Sequence, residues 1–128
     1  ERFGFAARRT GVEAFSFTPD RQGFVFQDAQ NRLQLYDLRT FTLVRTFSGH
    51  TREVLATAFT PDGSRMFSAD LTGVIRVWDV ASGAEVGQLI GHTQHVRRLV
   101  MTPDGHALIS GSRDGTARVW SSSAAPPP

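Results

Sequence analysis

Residues 91–120 read GHTQHVRRLVMTPDGHALISGSRDGTARVW, and residues 49–78 read GHTREVLATAFTPDGSRMFSADLTGVIRVW. His50 to His92, Pro61 to Pro103 and Trp78 to Trp120 are each a step of 42 residues. One further step back puts Pro19 on Pro61, Val12 on Val54, Phe17 on Phe59 and Tyr36-Asp37 on Trp78-Asp79. Landmarks that hold register over three copies without an insertion make a repeat. Each copy carries a Thr-Pro-Asp turn, at Pro19-Asp20, Pro61-Asp62-Gly63 and Pro103-Asp104-Gly105. Proline pre-sets φ at the second turn position, and glycine takes the positive φ where the chain reverses.

Between the turns lie short apolar runs that predict strands. In the first copy these are 1–6, Val12–Thr18, Gly23–Asp28 and Arg32–Asp37. The second copy has Thr42–Phe47, Val54–Thr60, Arg65–Ala69 and Val74–Asp79. The third has Glu85–Ile90, Val96–Met101, His106–Ser110 and Thr116–Trp120. Val12–Thr18 is apolar on both faces, as a strand covered on both sides requires. No stretch has helical periodicity. Many short strands at regular spacing between Gly/Pro/Asp turns predict an all-β fold. Residues 122–128 (Ser-Ser-Ala-Ala-Pro-Pro-Pro) lack alternation, and prolines cannot donate to a ladder, so a disordered or polyproline-like tail is expected there.

A period in the range of about 40–45 residues, with Gly-His at one end and Trp-Asp at the other, is the mark of a propeller blade. On these residues the chain resembles the WD-repeat β-propeller family over nearly its whole length. The resemblance implies three blades of four antiparallel strands within residues 1–121. It also implies a buried hydrogen-bonded tetrad: a His before the inner strand, a Ser on the second, an Asp in the following turn and the Trp of the third. Here these are His92, Ser110, Asp114 and Trp120. The second copy keeps His50, Ser68 and Trp78, but Thr72 stands at the Asp column, so His50 is expected to be poorly paired. The first copy has Arg8, Phe26, Gln30 and Tyr36 at the four columns and is expected to form no tetrad. Ser, His and Asp are also the parts of a nucleophilic triad. The tetrad reading is preferred, because no Gly-x-Ser-x-Gly elbow is present.

Composition narrows the function classes. The net charge is +2, and all fourteen basic residues are Arg. They are dispersed, with doublets only at Arg8-Arg9 and Arg97-Arg98, so a nucleic-acid footprint is not expected. No run approaches the roughly 18 apolar residues of a membrane span. The start at Glu1-Arg2-Phe3 carries no leader pattern, and its lack of Met is expected of a trimmed chain. Cysteine is absent, which excludes disulfides and thiolate chemistry and leaves the redox compartment open; a cytoplasmic location is favoured. His92 and His95 are three apart, but a zinc site needs about three or four convergent ligands, so no metal is expected. None of the glycines forms a nucleotide-binding pattern, and no cofactor is implied.

The resemblance implies a non-catalytic scaffold for protein or peptide partners, contacted through the loops on the tetrad face. The contact candidates there are Arg8, Arg52, Glu53, Gln94, His95 and Arg113. Two alternatives are a propeller with a small-ligand site, for which only Glu53 and His95 offer convergent groups, and a trimmed or engineered piece of a longer array. Three blades are fewer than the about four to eight of a closed propeller. Self-assembly is therefore expected, with strand 1–6 completing the last blade of a neighbouring copy. A dimer is favoured and a trimer is the alternative.

Overall fold

The computed structural model describes residues 15–121. Strand 1–6, Arg8, Arg9 and the 122–128 tail lie outside the described residues. Eleven strands and no helix are present among the described residues. They are β1 (Phe15–Phe17), β2 (Gly23–Gln27), β3 (Leu33–Asp37), β4 (Thr42–Phe47), β5 (Val54–Phe59) and β6 (Arg65–Asp70). After them come β7 (Ile75–Asp79), β8 (Glu85–Leu89), β9 (Val96–Met101), β10 (Ala107–Ser112) and β11 (Ala117–Ser121).

The strands form three antiparallel sheets, ordered β1-β2-β3-β4, β5-β6-β7-β8 and β9-β10-β11. The first two have the expected four strands; the third has three among the described residues. Most strands differ from expectation by one residue at an end, and β10 by two at its C-terminal end. β6 runs one residue past Ala69 to Asp70, and β10 runs past Ser110 to Ser112 through a register shift at Gly111/Ser112.

The 42-residue register reappears as side-chain rows. One row is Phe17–Phe24–Tyr36 in the first sheet, Phe59–Met66–Trp78 in the second and Met101–Leu108–Trp120 in the third, and in the second and third sheets it faces the preceding sheet. The other row is Ser16–Val25–Leu35, Ala58–Phe67–Val77 and Val100–Ile109–Val119, and in the first and second sheets it faces the following sheet. Alternation of side chains along each strand separates the two rows.

Two apolar cores result. In one, Val25, Leu33, Leu35 and Phe47 of the first sheet pack with Val54, Phe59, Met66 and Trp78 of the second. In the other, Ala56, Ala69 and Ile75 of the second sheet pack with Val96, Leu99 and Leu108 of the third. Each lies between sheets. Burying these faces against one another is what makes the sheets stack.

The turns behave as their chemistry predicts. Gly63 and Gly105 take φ of 75° and 78°. Asp62 accepts hydrogen bonds from the Ser64 N–H, the Ser64 hydroxyl and the Thr60 hydroxyl, which lower its pKa to about 2.

Candidate functional site

At one end of the stack, the loops leading into β5 and β9 meet the β6–β7 and β10–β11 turns. Each pair of loop and turn is held by a buried chain of hydrogen bonds. In the third sheet, Trp120 Nε1–H donates to Ser110 Oγ at 2.9 Å. Ser110 Oγ lies 2.7 Å from His92 Nε2, and His92 Nδ1 lies 3.0 Å from Asp114 Oδ2. In the second sheet, Trp78 Nε1–H donates to Ser68 Oγ at 2.7 Å, and Ser68 Oγ is 2.5 Å from His50 Nε2.

The last link in the second sheet differs from expectation. His50 is not poorly paired: its Nδ1 lies 2.7 Å from Asp70 Oδ2. The carboxylate arrives from the end of β6, two residues before the column occupied by Thr72. Thr72 is absorbed into the same network, donating its backbone N–H at 2.8 Å and its hydroxyl to Asp70 Oδ1. In the third sheet the first turn position is Ser112, whose hydroxyl accepts from the Asp114 N–H, while Asp114 supplies the acid from within the turn. Two chain positions thus deliver a carboxylate to the same imidazole nitrogen. An acid anywhere in the turn was the signal to read, rather than one fixed column.

The donors determine the protons. Each Ser Oγ accepts from a Trp N–H, so its own hydroxyl hydrogen goes to His Nε2. The imidazole proton then sits on Nδ1 and is donated to the Asp carboxylate. Burial works against the Asp70 carboxylate, but hydrogen bonds from His50 and Thr72 outweigh it and hold its pKa below the usual value. The Thr116 hydroxyl, helped by the Thr93 N–H and His92 against opposing burial, holds Asp114 well below the usual carboxylate range.

The order of atoms, Ser Oγ to His Nε2 and His Nδ1 to Asp, is that of a nucleophilic triad. Access is not. Ser68 and Ser110 are fully buried and each hydroxyl oxygen is occupied by a Trp N–H. Among the described residues no three or more His, Asp or Glu side chains gather as a metal-ligand set. Among the described residues no helix is long and apolar enough to cross a membrane.

In the first sheet, the columns for Ser and Trp hold Phe26 and Tyr36. With Phe24 they form an aromatic stack, the ring centroids 5.7–6.0 Å apart. Gln30 lies exposed in the β2–β3 turn, donating its backbone N–H to Asp28. Sequence reading missed this stack, because alternating Phe24, Val25 and Phe26 looked merely apolar.

The remaining contact candidates gather around the two chains. Arg52, Gln94 and Arg113 are exposed, and Glu53 and His95 are half-buried. Backbone bonds sew their loops to the turns: Leu71 N–H donates to Glu53 O at 3.1 Å and Arg113 N–H to His95 O at 2.8 Å. Gly73, at φ 92°, lets the second sheet's turn press on the third sheet's loop. A Cβ there would stand 2.8 Å from Gln94 O and 2.9 Å from His92 O. The described candidates therefore share one end of the stack; Arg8 lies outside the described residues.

The WD domain, G-beta repeat family model matches residues 41–79 and 83–121, more than half of the chain. The search of curated proteins found no match to the chain. Each matched segment begins beside the outer strand of one sheet and ends on the third strand of the next. Proteins with such repeats generally act as non-catalytic scaffolds for protein–protein interaction. The repeats at 41–79 and 83–121, with the hydrogen-bonded chains they carry, place this chain in the WD40 family.

Proposed function

We propose that the chain is a non-catalytic interaction scaffold. Its contact surface is the loop face bearing Arg52, Glu53, Gln94, His95 and Arg113, and its ligand is a protein or peptide. The observation that carries this reading is the burial of Ser68 and Ser110 beneath exposed loops. The polar atoms capable of chemistry are sealed and saturated, while the groups they hold in place face solvent. Buried polar networks of this kind rigidify what they support. A rigid surface loses less entropy on binding, which suits recognition. The tetrads are structural in this reading, and neither a cofactor, a metal, nucleic acid nor a membrane is required. A cytoplasmic setting fits it.

The scaffold is completed by copies of itself, two being favoured over three, with strand 1–6 of one copy finishing the third sheet of another. Light scattering coupled to size exclusion tests that part; a folded monomer at micromolar concentration would overturn it. For the contact surface, peptides selected from a display library against the chain should lose binding to an Arg52→Ala, Gln94→Ala, Arg113→Ala variant of unchanged melting temperature. Selected peptides indifferent to all three changes would overturn the surface assignment. Ester hydrolysis abolished by Ser110→Ala at unchanged stability would overturn the non-catalytic reading.

A further inference from the structure

The third strand of each sheet carries a long polar side chain at one column of the repeat: Gln34, Arg76 and Arg118, each 42 residues from the next. In the first two sheets that side chain is bound by the fourth strand. The Thr46 hydroxyl of β4 donates to Gln34 Oε1 at 2.7 Å. Arg76 Nη1 donates to both carboxylate oxygens of Glu85 on β8, at 2.8 and 3.0 Å. In the third sheet β11 has no fourth-strand neighbour among the described residues, and there the exposed Arg118 makes no ion pair. Its guanidinium is nonetheless placed as in the second sheet. A Cβ on Gly91 would stand 3.1 Å from Arg118 Cζ and 3.2 Å from Trp120 Cη2. A Cβ on Gly49 would stand 3.6 Å from Arg76 Nη1, 3.1 Å from Trp78 Cη2 and 3.1 Å from Glu85 Oε1. The cation sits beside its glycine and tryptophan in both sheets, but only Arg76 meets a carboxylate.

We infer that Arg118 selects the strand that completes the third sheet, by binding the Glu1 carboxylate of a second copy as Arg76 binds that of Glu85. The register of the repeat carries this. Two steps of 42 residues back from Glu85 is Glu1, and two back from Leu89 is Phe5. β4 and β8 pair with their neighbours in one register, shifted at the same point: Tyr36 lies opposite Leu43, and Trp78 opposite Glu85. A strand 1–6 that follows them puts Glu1 opposite Trp120, beside Arg118, and Phe5 opposite Ala117. Ala117 is exposed, whereas Leu33 and Ile75, opposite Phe47 and Leu89, are fully buried. A large ring from the incoming strand complements that small side chain. The same chain does not supply the acid: one step on from Glu85 is Pro127, which has neither a charge nor an N–H for the ladder. An open edge accepts any extended chain through its backbone groups, and a charge at one position restricts it to the matching partner and register. This inference rests on the self-assembly reading and adds to it the side-chain pair that specifies the exchanged strand.

Full-length variants test it by sedimentation velocity, beside circular dichroism to confirm folding. The wild-type chain is expected to associate. Arg118→Glu sets two carboxylates against each other, and Glu1→Arg sets two guanidinium groups. Each is expected to be folded and to dissociate at concentrations higher by on the order of tenfold. Arg118→Gln, which brings in the first copy's residue at this column, should weaken association by about threefold, and it reads the same contact without a repulsive charge. An equimolar mixture of Arg118→Glu and Glu1→Arg should associate as the wild type does, because every contact between unlike chains then joins opposite charges. A monomeric wild type would overturn the self-assembly reading, and this inference with it. A wild type that associates, with all of the single variants associating equally well, would leave that reading standing and overturn this one. Weakened single variants whose mixture recovers nothing would overturn Glu1 as the partner and assign Arg118 to another acidic segment.

Discussion

The second and third sheets carry the same Trp–Ser–His–Asp chain in two settings. Trp78 is fully buried, with Phe47 edge-on at 5.6 Å, whereas Trp120 is half-buried. The Asp70 side chain is 1% exposed and the Asp114 side chain 9%. The cause is what covers each sheet. The second sheet has four strands and a neighbour on both faces; the third has three strands and one neighbour among the described residues. One set of hydrogen bonds therefore has two energetic values. A bond lost in a dry environment leaves its partner unsatisfied, while one near solvent is replaced by water.

The comparison would be broken most plainly at the tryptophans. Trp78→Ala should lower stability by roughly 3–5 kcal/mol, as for a large aromatic removed from a packed core. Trp120→Ala should cost distinctly less, and equal shifts in chemical denaturation would remove the distinction between the settings. Next come the imidazoles. His50→Ala should cost about 1–3 kcal/mol, and at least as much as His92→Ala. A clearly smaller loss would mean that Asp70 does not function as the partner its 2.7 Å contact indicates.

A third test sharpens the acid link. The folded-state pKa of Asp70 is lowered, so its stabilising contribution is complete above its unfolded value of about 3.9. That contribution disappears as pH falls through the lowered folded value. The stability gap between wild type and Asp70→Asn, read from urea midpoints, should be constant near neutrality and shrink below about pH 4. A gap independent of pH would assign the loss to packing instead. The smallest expected effect is at the surface: Arg52→Ala should change stability by no more than about 0.5 kcal/mol. A larger change would show Arg52 to be part of the scaffold rather than its contact face.

The strand order and the turns were legible in the sequence, because periodicity and turn chemistry act over a few residues at a time. Thr60-Pro61-Asp62-Gly63 could be read as a reversal without knowing what lay around it. The partner of His50 was not legible in the same way. Reading by fixed columns put Thr72 against the imidazole, whereas the folded turn brings Asp70 there, and only three-dimensional proximity separates the two. The Phe24–Phe26–Tyr36 stack was missed for a related reason: it joins one face of β2 to a residue of β3 that is not adjacent in the chain. Burial differences between Trp78 and Trp120 were equally hidden, since the two lie in nearly identical Val-Trp segments.

The placement of the second sheet between two others also bears on motion. In a stack where each unit touches only its neighbours, stability is close to a sum over units and shared contacts. The middle unit has two such contacts, so opening it means undoing both cores, while among the described residues either end is held by one. Amide hydrogens of β5, β6 and β7 should then exchange with solvent most slowly, and those of β10 and β11 sooner, through sub-global openings that leave the centre intact. The loop face straddles this boundary: Arg52 and Glu53 ride on the slow unit and Gln94, His95 and Arg113 on the faster one. Half of the surface would hold still while the other half samples open forms, and a ligand touching both halves would draw the fast unit toward the timescale of the slow one.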